Sequence, residues 1–243
     1  VSHWTRARGS LGGSSRAWSD LALARRSLRC DRSVMRWLAV LVLVLAACQE
    51  DITTVFPDGL EPLEANTAPE PQAGAGVEEL LLVSTSGDPK VVHGRGLVFA
   101  PPGVVWAAAK NSEALAAKCS TDRHSAMIGI EPQYEYGWKI HYEVDQVITV
   151  AWDELWRFGT VTGTPDAPEL AMIRYQKVFG SDFITLIEGS ILMRAAEEGH
   201  TELEFIEHLS AFQGSVDDMK SSMTQRYRTL VELGHGRAIP NCP

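Results

Sequence analysis

The sequence predicts an α+β domain, a run of antiparallel strands followed by one amphipathic helix. Three observations predict it. First, Ile140, Tyr142 and Val144 alternate with His141, Glu143 and Asp145, the period of two that marks a half-buried strand. Second, Val150, Trp152, Trp156 and Phe158 fall on one face of the next segment, with Asp153 and Arg157 on the other. Third, Val216, Met219, Met223, Tyr227 and Leu230 recur every three to four residues, which draws one apolar stripe along a helix.

The other elements follow in chain order. Leu80-Leu81-Leu82-Val83 and Leu97-Val98-Phe99 read as strands, separated by the turn residues Ser86-Gly87-Asp88-Pro89. Pro101-Pro102-Gly103 ends the second and can open a helix, because proline is tolerated in a first turn. Val104 to Lys110 and Glu113 to Lys118 then read as two short helices, broken at Asn111 and Ser112. After the paired strands already described, residues 170–178, 183–195 and 201–211 read as three more. Gly180-Ser181-Asp182 and Glu198-Gly199 mark the turns. Ser215 is placed to cap the last helix, Asp217 and Asp218 suit its positive N-terminal end, and Gly234 is placed to stop it. Lys220, Arg226 and Arg228 lie off the centre of its stripe.

Upstream of the domain the chain changes character. Met35-Arg36 precedes an apolar run from Trp37 to Ala47, which ends in the small residues Ala46 and Ala47 before Cys48. Eleven apolar residues fall short of the roughly 20 needed to span a bilayer but suit a secretory signal. Residues 1–34, with seven arginines and little apolar periodicity, do not belong to such a signal. They are expected to be an upstream extension, with translation starting at Val34 or Met35; the alternative is a basic arm. Residues 48–79, punctuated by Pro57, Pro62, Pro69 and Pro71, are expected to be a flexible tether, and residues 80–243 the folded domain.

Charge and cysteine usage narrow the function. Residues 1–47 hold eight of the 22 basic residues and only two of the 31 acidic ones. The remainder, with 14 basic and 29 acidic residues, carries about −15. That excludes nucleic acid as a partner and argues against electrostatic attraction to anionic lipid. With Cys30 upstream and Cys48 in the signal, Cys119 and Cys242 remain, either as a disulfide or as two separate thiols. The six histidines after residue 47 show no metal-ligand spacing, and neither Cys119 nor Cys242 lies in a CxxC. No phosphate-binding loop and no Gly-x-Ser-x-Gly elbow is present. No metal or cofactor is expected, and no nucleophile stands out.

Two resemblances add to this reading. Leu45-Ala46-Ala47-Cys48 resembles the lipobox of bacterial lipoproteins. The resemblance implies cleavage before Cys48, acylation of that residue, and attachment to a membrane. Gln49 follows where an aspartate would imply retention in the inner membrane, so it implies the outer membrane of a Gram-negative bacterium, facing the periplasm. Phe99-Ala100-Pro101-Pro102-Gly103-Val104-Val105-Trp106, with the order of elements around it, resembles the START-like or Bet v 1-like helix-grip superfamily, which includes polyketide cyclase-like proteins. This resemblance covers about residues 90–236. It implies a curved antiparallel sheet wrapped around the C-terminal helix, with an elongated apolar cavity for a lipid or other hydrophobic molecule.

On that fold Trp152, Trp156 and Phe158 would line one wall, and Met219, Met223 and Tyr227 the other; each could equally be plain core. Glu154 shares the face of Trp152 and Trp156, and Glu207 that of Leu203, Phe205 and Leu209. A carboxylate buried there could bind or transfer a proton, unless a bulge turns it to solvent. His141 and His208 are weaker candidates for a general base. The leading expectation is a binding protein for a hydrophobic small molecule or lipid, acting as carrier or sensor. The alternatives are a cyclase or dehydratase using Glu154 or Glu207, and an interaction domain whose interior is filled by its own side chains. The sequence names no protein partner.

Overall fold

The computed structural model describes residues 50–72, 76–116, 119–129, 131–145 and 148–242. The upstream extension and the signal, residues 1–34 and 35–47, lie outside them, as does Cys48. Nine strands are described: β1 (Asp51–Thr53), β2 (Leu80–Thr85), β3 (Lys90–Val98), β4 (Arg123–Ile128), β5 (Tyr136–Asp145), β6 (Thr149–Thr164), β7 (Ala167–Ser181), β8 (Ile184–Ala195) and β9 (Thr201–Ala211). Helices α1 (Pro102–Ala109) and α2 (Ser112–Leu115) follow β3, and α3 (Val216–Gly234) closes the domain. The sheet runs β2-β3-β9-β8-β7-β6-β5-β4, every pair antiparallel, and β1 adds to the end of β7. This is the helix-grip architecture: a curved antiparallel sheet holding one long C-terminal helix on its inner face.

Local chemistry sets the elements. Asn111 ends the break between the short helices by accepting the Glu113 N–H, and Pro102 occupies the first turn of α1. Ser215 and Asp218 form a reciprocal capping box at the start of α3. Gly234 is the last helical residue, where a Cβ would stand 3.0 Å from Ala100, and Gly236 just beyond takes the left-handed conformation at φ +69°. Strand β4 is an addition to the expected elements. Its side chains are largely exposed, so it carries no apolar alternation.

Helix α3 approaches the sheet where β3 lacks side chains. A Cβ on Gly94 would meet Met223 Sδ at 2.8 Å, and one on Gly96 would meet the Tyr227 ring at 2.5 Å. The Tyr227 hydroxyl donates to the Leu97 carbonyl at 2.7 Å. Around this seat, Trp106, Trp138, Trp156, Phe158, Tyr175 and Leu230 join one continuous core. Cys119 and Cys242 form a disulfide, with Cα atoms 5.5 Å apart, across 123 residues.

The expected flexible tether is corrected for residues 50–72, which pack on the outer face of the sheet. β1 pairs with β7, and Thr54 N–H continues the pairing by donating to the Val178 carbonyl. Phe56 is buried beneath the Arg157 guanidinium, 3.7 Å from its ring, while Arg157 donates to the Pro57 carbonyl and pairs with Glu131. Asn66 donates to the Gly94 and Phe205 carbonyls, both at 3.1 Å. Composition alone misses this because a proline-rich segment with few apolar residues can still be ordered by side chains that reach backbone carbonyls.

A candidate site buried between helix and sheet

The inner face of β6 presents Trp152, Glu154, Trp156 and Phe158, all buried. Glu154 keeps the alternation of Trp152 and Trp156, and the register shift beside it falls on β7, where Asp153 pairs with Phe179 and Glu154 with Lys177, passing over Val178. Trp152 Nε1 donates to Glu154 Oε1 at 2.9 Å, and Trp156 Nε1 donates to Oε2 at 3.1 Å. The two indoles flanking Glu154 in sequence therefore satisfy both its oxygens. Trp152 stacks on Tyr142 at 5.0 Å, and Trp156 on Tyr175 at 4.1 Å.

Glu207, on β9, faces the same interior. Its Oε2 accepts the Tyr175 hydroxyl and Arg226 Nη1, each at 2.5 Å. Arg226 Nη1 also donates to the Tyr175 oxygen at 2.9 Å, and Nε donates to the Leu115 carbonyl at 3.0 Å. Gly189 makes the geometry possible: a Cβ there would stand 2.1 Å from Tyr175 Cζ. The tyrosine ring crosses β8 only because that strand has no side chain at this position. Arg226 lies 5.5 Å from the Trp156 ring and 5.1 Å from the Tyr175 ring. Burial disfavours its charge, but Tyr175, Glu207 and Glu154 outweigh that and hold it firmly protonated. Burial likewise pushes the Tyr142 and Tyr175 hydroxyls well above their ordinary range, so both remain neutral donors. Among the described residues Arg226 Nη2 has no acceptor, although it is buried.

The expected wall residues are all interior and belong to one continuous core, spread along its length. Trp152 and Trp156 surround Glu154. Phe158 packs further along, against Trp138 at 4.7 Å and Trp106 at 5.8 Å. Met223 and Tyr227 lie over Gly94 and Gly96, and Met219 is buried one turn before them. Arg226 and Tyr175 were not among the expected site residues. Arg226, expected off the centre of the apolar stripe, is instead buried in line with Met219, Met223 and Leu230.

His141 and His208 both point away from the interior. His141 Nδ1 bonds Asp153 at 2.7 Å, which raises its pKa. His208 lies between Glu188 at 3.0 Å and Glu64 at 3.3 Å, and Glu64 also meets His93 Nε2 at 2.7 Å. Glu64, His93 and His208 bring three possible metal ligands together. The Thr67 backbone N–H donates to His93 Nδ1 at 2.9 Å, so the imidazole proton is on Nε2, the nitrogen that faces Glu64. The group clasps residues 64–67 to the sheet.

No protein-family model matches the sequence, and no curated protein matches it. Solved structures do resemble it. The Zhui aromatase/cyclase of Streptomyces sp. R1128 has a TM-score of 0.40 at 11% identity, over 60% of this chain and 91% of that one. The human StarD13 lipid transfer and protein localization domain has a TM-score of 0.46 at 10% identity, over 82% and 95%. A START superfamily protein of Mycobacterium smegmatis has a TM-score of 0.39 at 9% identity, over 60% and 94%. At these values the likeness is one of general strand and helix arrangement.

Proposed function

We propose that this chain is a lipid-anchored binding protein for a hydrophobic small molecule or lipid with a polar group. In this reading acylated Cys48 holds it to the outer membrane, facing the periplasm, and it carries or senses its ligand there. The lipobox-like Leu45-Ala46-Ala47-Cys48 supports the anchor. Among the described residues no helix is long and apolar enough to cross a membrane.

The observation that carries the ligand reading is the polar centre set inside an aromatic and methionine interior. A buried guanidinium N–H without an acceptor costs about 1–3 kcal/mol, and a ligand oxygen at Arg226 Nη2 would relieve that cost. The ligand's apolar body would take its affinity from burial, at about 25 cal/mol per Å² before ordering costs. Because Met219, Met223, Trp152 and Trp156 are packed and buried, entry requires α3 or its side chains to shift from the sheet. Native mass spectrometry with organic extraction tests the reading directly. A bound hydrophobic compound supports it; an empty protein that takes up no fluorescent lipid sinks it.

One observation favours a second reading. The rings of Trp156 and Tyr175 are stacked at 4.1 Å, as in a core filled by its own side chains. In that case the domain serves as an interaction module, and pull-down from the membrane would recover a partner while extraction recovers nothing. The cyclase or dehydratase reading is weaker, because both oxygens of Glu154 and Oε2 of Glu207 already accept hydrogen bonds.

A further inference from the structure

We propose that the end of the sheet carrying Phe179, Phe183 and Phe212 rests on the bilayer that holds the anchor. This inference depends on the reading of Cys48 as the acylated residue. The expected tether would have left the domain free to orient, but residues 50–72 are already fixed on the sheet. The Glu50 carbonyl accepts the Asp182 N–H at 2.9 Å, and Asp51 pairs with Ser181. Cys48 is two residues before Glu50, and two residues span at most about 7 Å. An acyl chain on Cys48 therefore brings the bilayer to the turn between β7 and β8.

The end of the sheet around that turn exposes aromatic rings. Phe212 is 79% exposed and Phe179 44% exposed, the largest aromatic exposures among the described residues. The Phe183 ring lies 6.1 Å from that of Phe212, whose N–H donates to the Phe183 carbonyl at 2.9 Å. Phe179 stands opposite Thr53 of β1. Exposed aromatics grouped in this way suit the membrane interface. Glu50, Asp51 and Asp182 border the same end, so apolar insertion and not attraction to anionic lipid would hold it.

The test uses the full acylated chain in phosphatidylcholine vesicles, with an environment-sensitive fluorophore placed through Gln213→Cys or, at the far β6–β7 turn, Asp166→Cys. The probe at 213 should shift to the blue and be quenched by doxyl-labelled lipid, and the probe at 166 should behave as in water. Phe179→Ser with Phe212→Ser should abolish the shift at 213 while the protein still floats with the vesicles, and added phosphatidylglycerol should not strengthen it. Flotation with the 213 probe still in water, or a shift that grows with anionic lipid, would overturn the docking face alone. Failure to float, with Cys48 unacylated by mass, would overturn the anchor reading and the docking face together.

Discussion

Glu207 Oε2 and Arg226 Nη1 lie 2.5 Å apart in the interior, joining strand β9 to helix α3 by a buried ion pair. The pair fixes how the helix lies in the sheet, because Arg226 also reaches Tyr175 on β7 and the Leu115 carbonyl at the end of α2. Four elements therefore meet at one guanidinium.

Removing half of this pair leaves a charge buried without its partner. Arg226→Met should lower unfolding free energy by about 3–5 kcal/mol, whereas the double variant Arg226→Met with Glu207→Met should recover much of that loss. Urea unfolding measures both. Additive losses, or a single-variant loss below about 1 kcal/mol, would contradict the coupling.

The space for Tyr175 above Gly189 makes a steric prediction. Gly189→Ala places a methyl group 2.2 Å from the Tyr175 hydroxyl oxygen, so the ring must move from Glu207. A cost of about 1–3 kcal/mol is expected, as for other overpacked cores. Thermal unfolding of Gly189→Ala beside Gly199→Ala reports it, though the second glycine carries φ +76° strain of its own with open space around it.

The Cys119–Cys242 bridge closes a separation of 123 residues. On the chain-entropy account a loop of this length contributes about 4–5 kcal/mol. Cys119→Ser with Cys242→Ser should show that loss in urea. An unchanged midpoint would mean that the unfolded chain gains little from the cut.

The clasp of Glu64 on His208 should loosen at both ends of the pH range. Hydrogen bonding to Glu188 raises the His208 pKa from its ordinary 6.5; burial opposes this, and Glu64 adds to the rise. A raised value means its stabilisation is complete below 6.5 and is lost as pH rises through the folded-state value. Burial of Glu64 works against its charge, but hydrogen bonds from His93 and His208 outweigh this and lower its pKa from 4.5. Its contribution is present above 4.5 and is lost as pH falls through the lowered value. Hydrogen-exchange protection of residues 63–68 should therefore be greatest between 4.5 and 6.5, and His208→Gln should flatten its alkaline side. The same alkaline fall in the variant would contradict the assignment.

The sequence made the sheet and its inner face legible because alternation is a local property: Ile140 and Tyr142, then Trp152, Glu154 and Trp156, are all buried. It made the capping of α3 legible for the same reason. The charge partners were less so. Arg226 reads as a polar residue off the centre of the stripe, and its burial against Glu207 and Tyr175 depends on strand order and on the gap at Gly189. Residues 50–72 were misread because their ordering comes from distant groups, such as Arg157 over Phe56 and Asn66 on the Gly94 carbonyl. The edge strand β4 gave no signal because both of its faces are largely exposed.

The central claim, that the interior takes a hydrophobic ligand, is tested most directly by exporting residues 49–243 to the periplasm through a cleavable signal, so that residues 50–72 stay on the sheet. Native mass spectrometry should give a mass above that of the disulfide-bonded polypeptide, and organic extraction should release one class of hydrophobic compound that accounts for the difference. A mass equal to the polypeptide alone, with no uptake of a fluorescent lipid, would contradict the account.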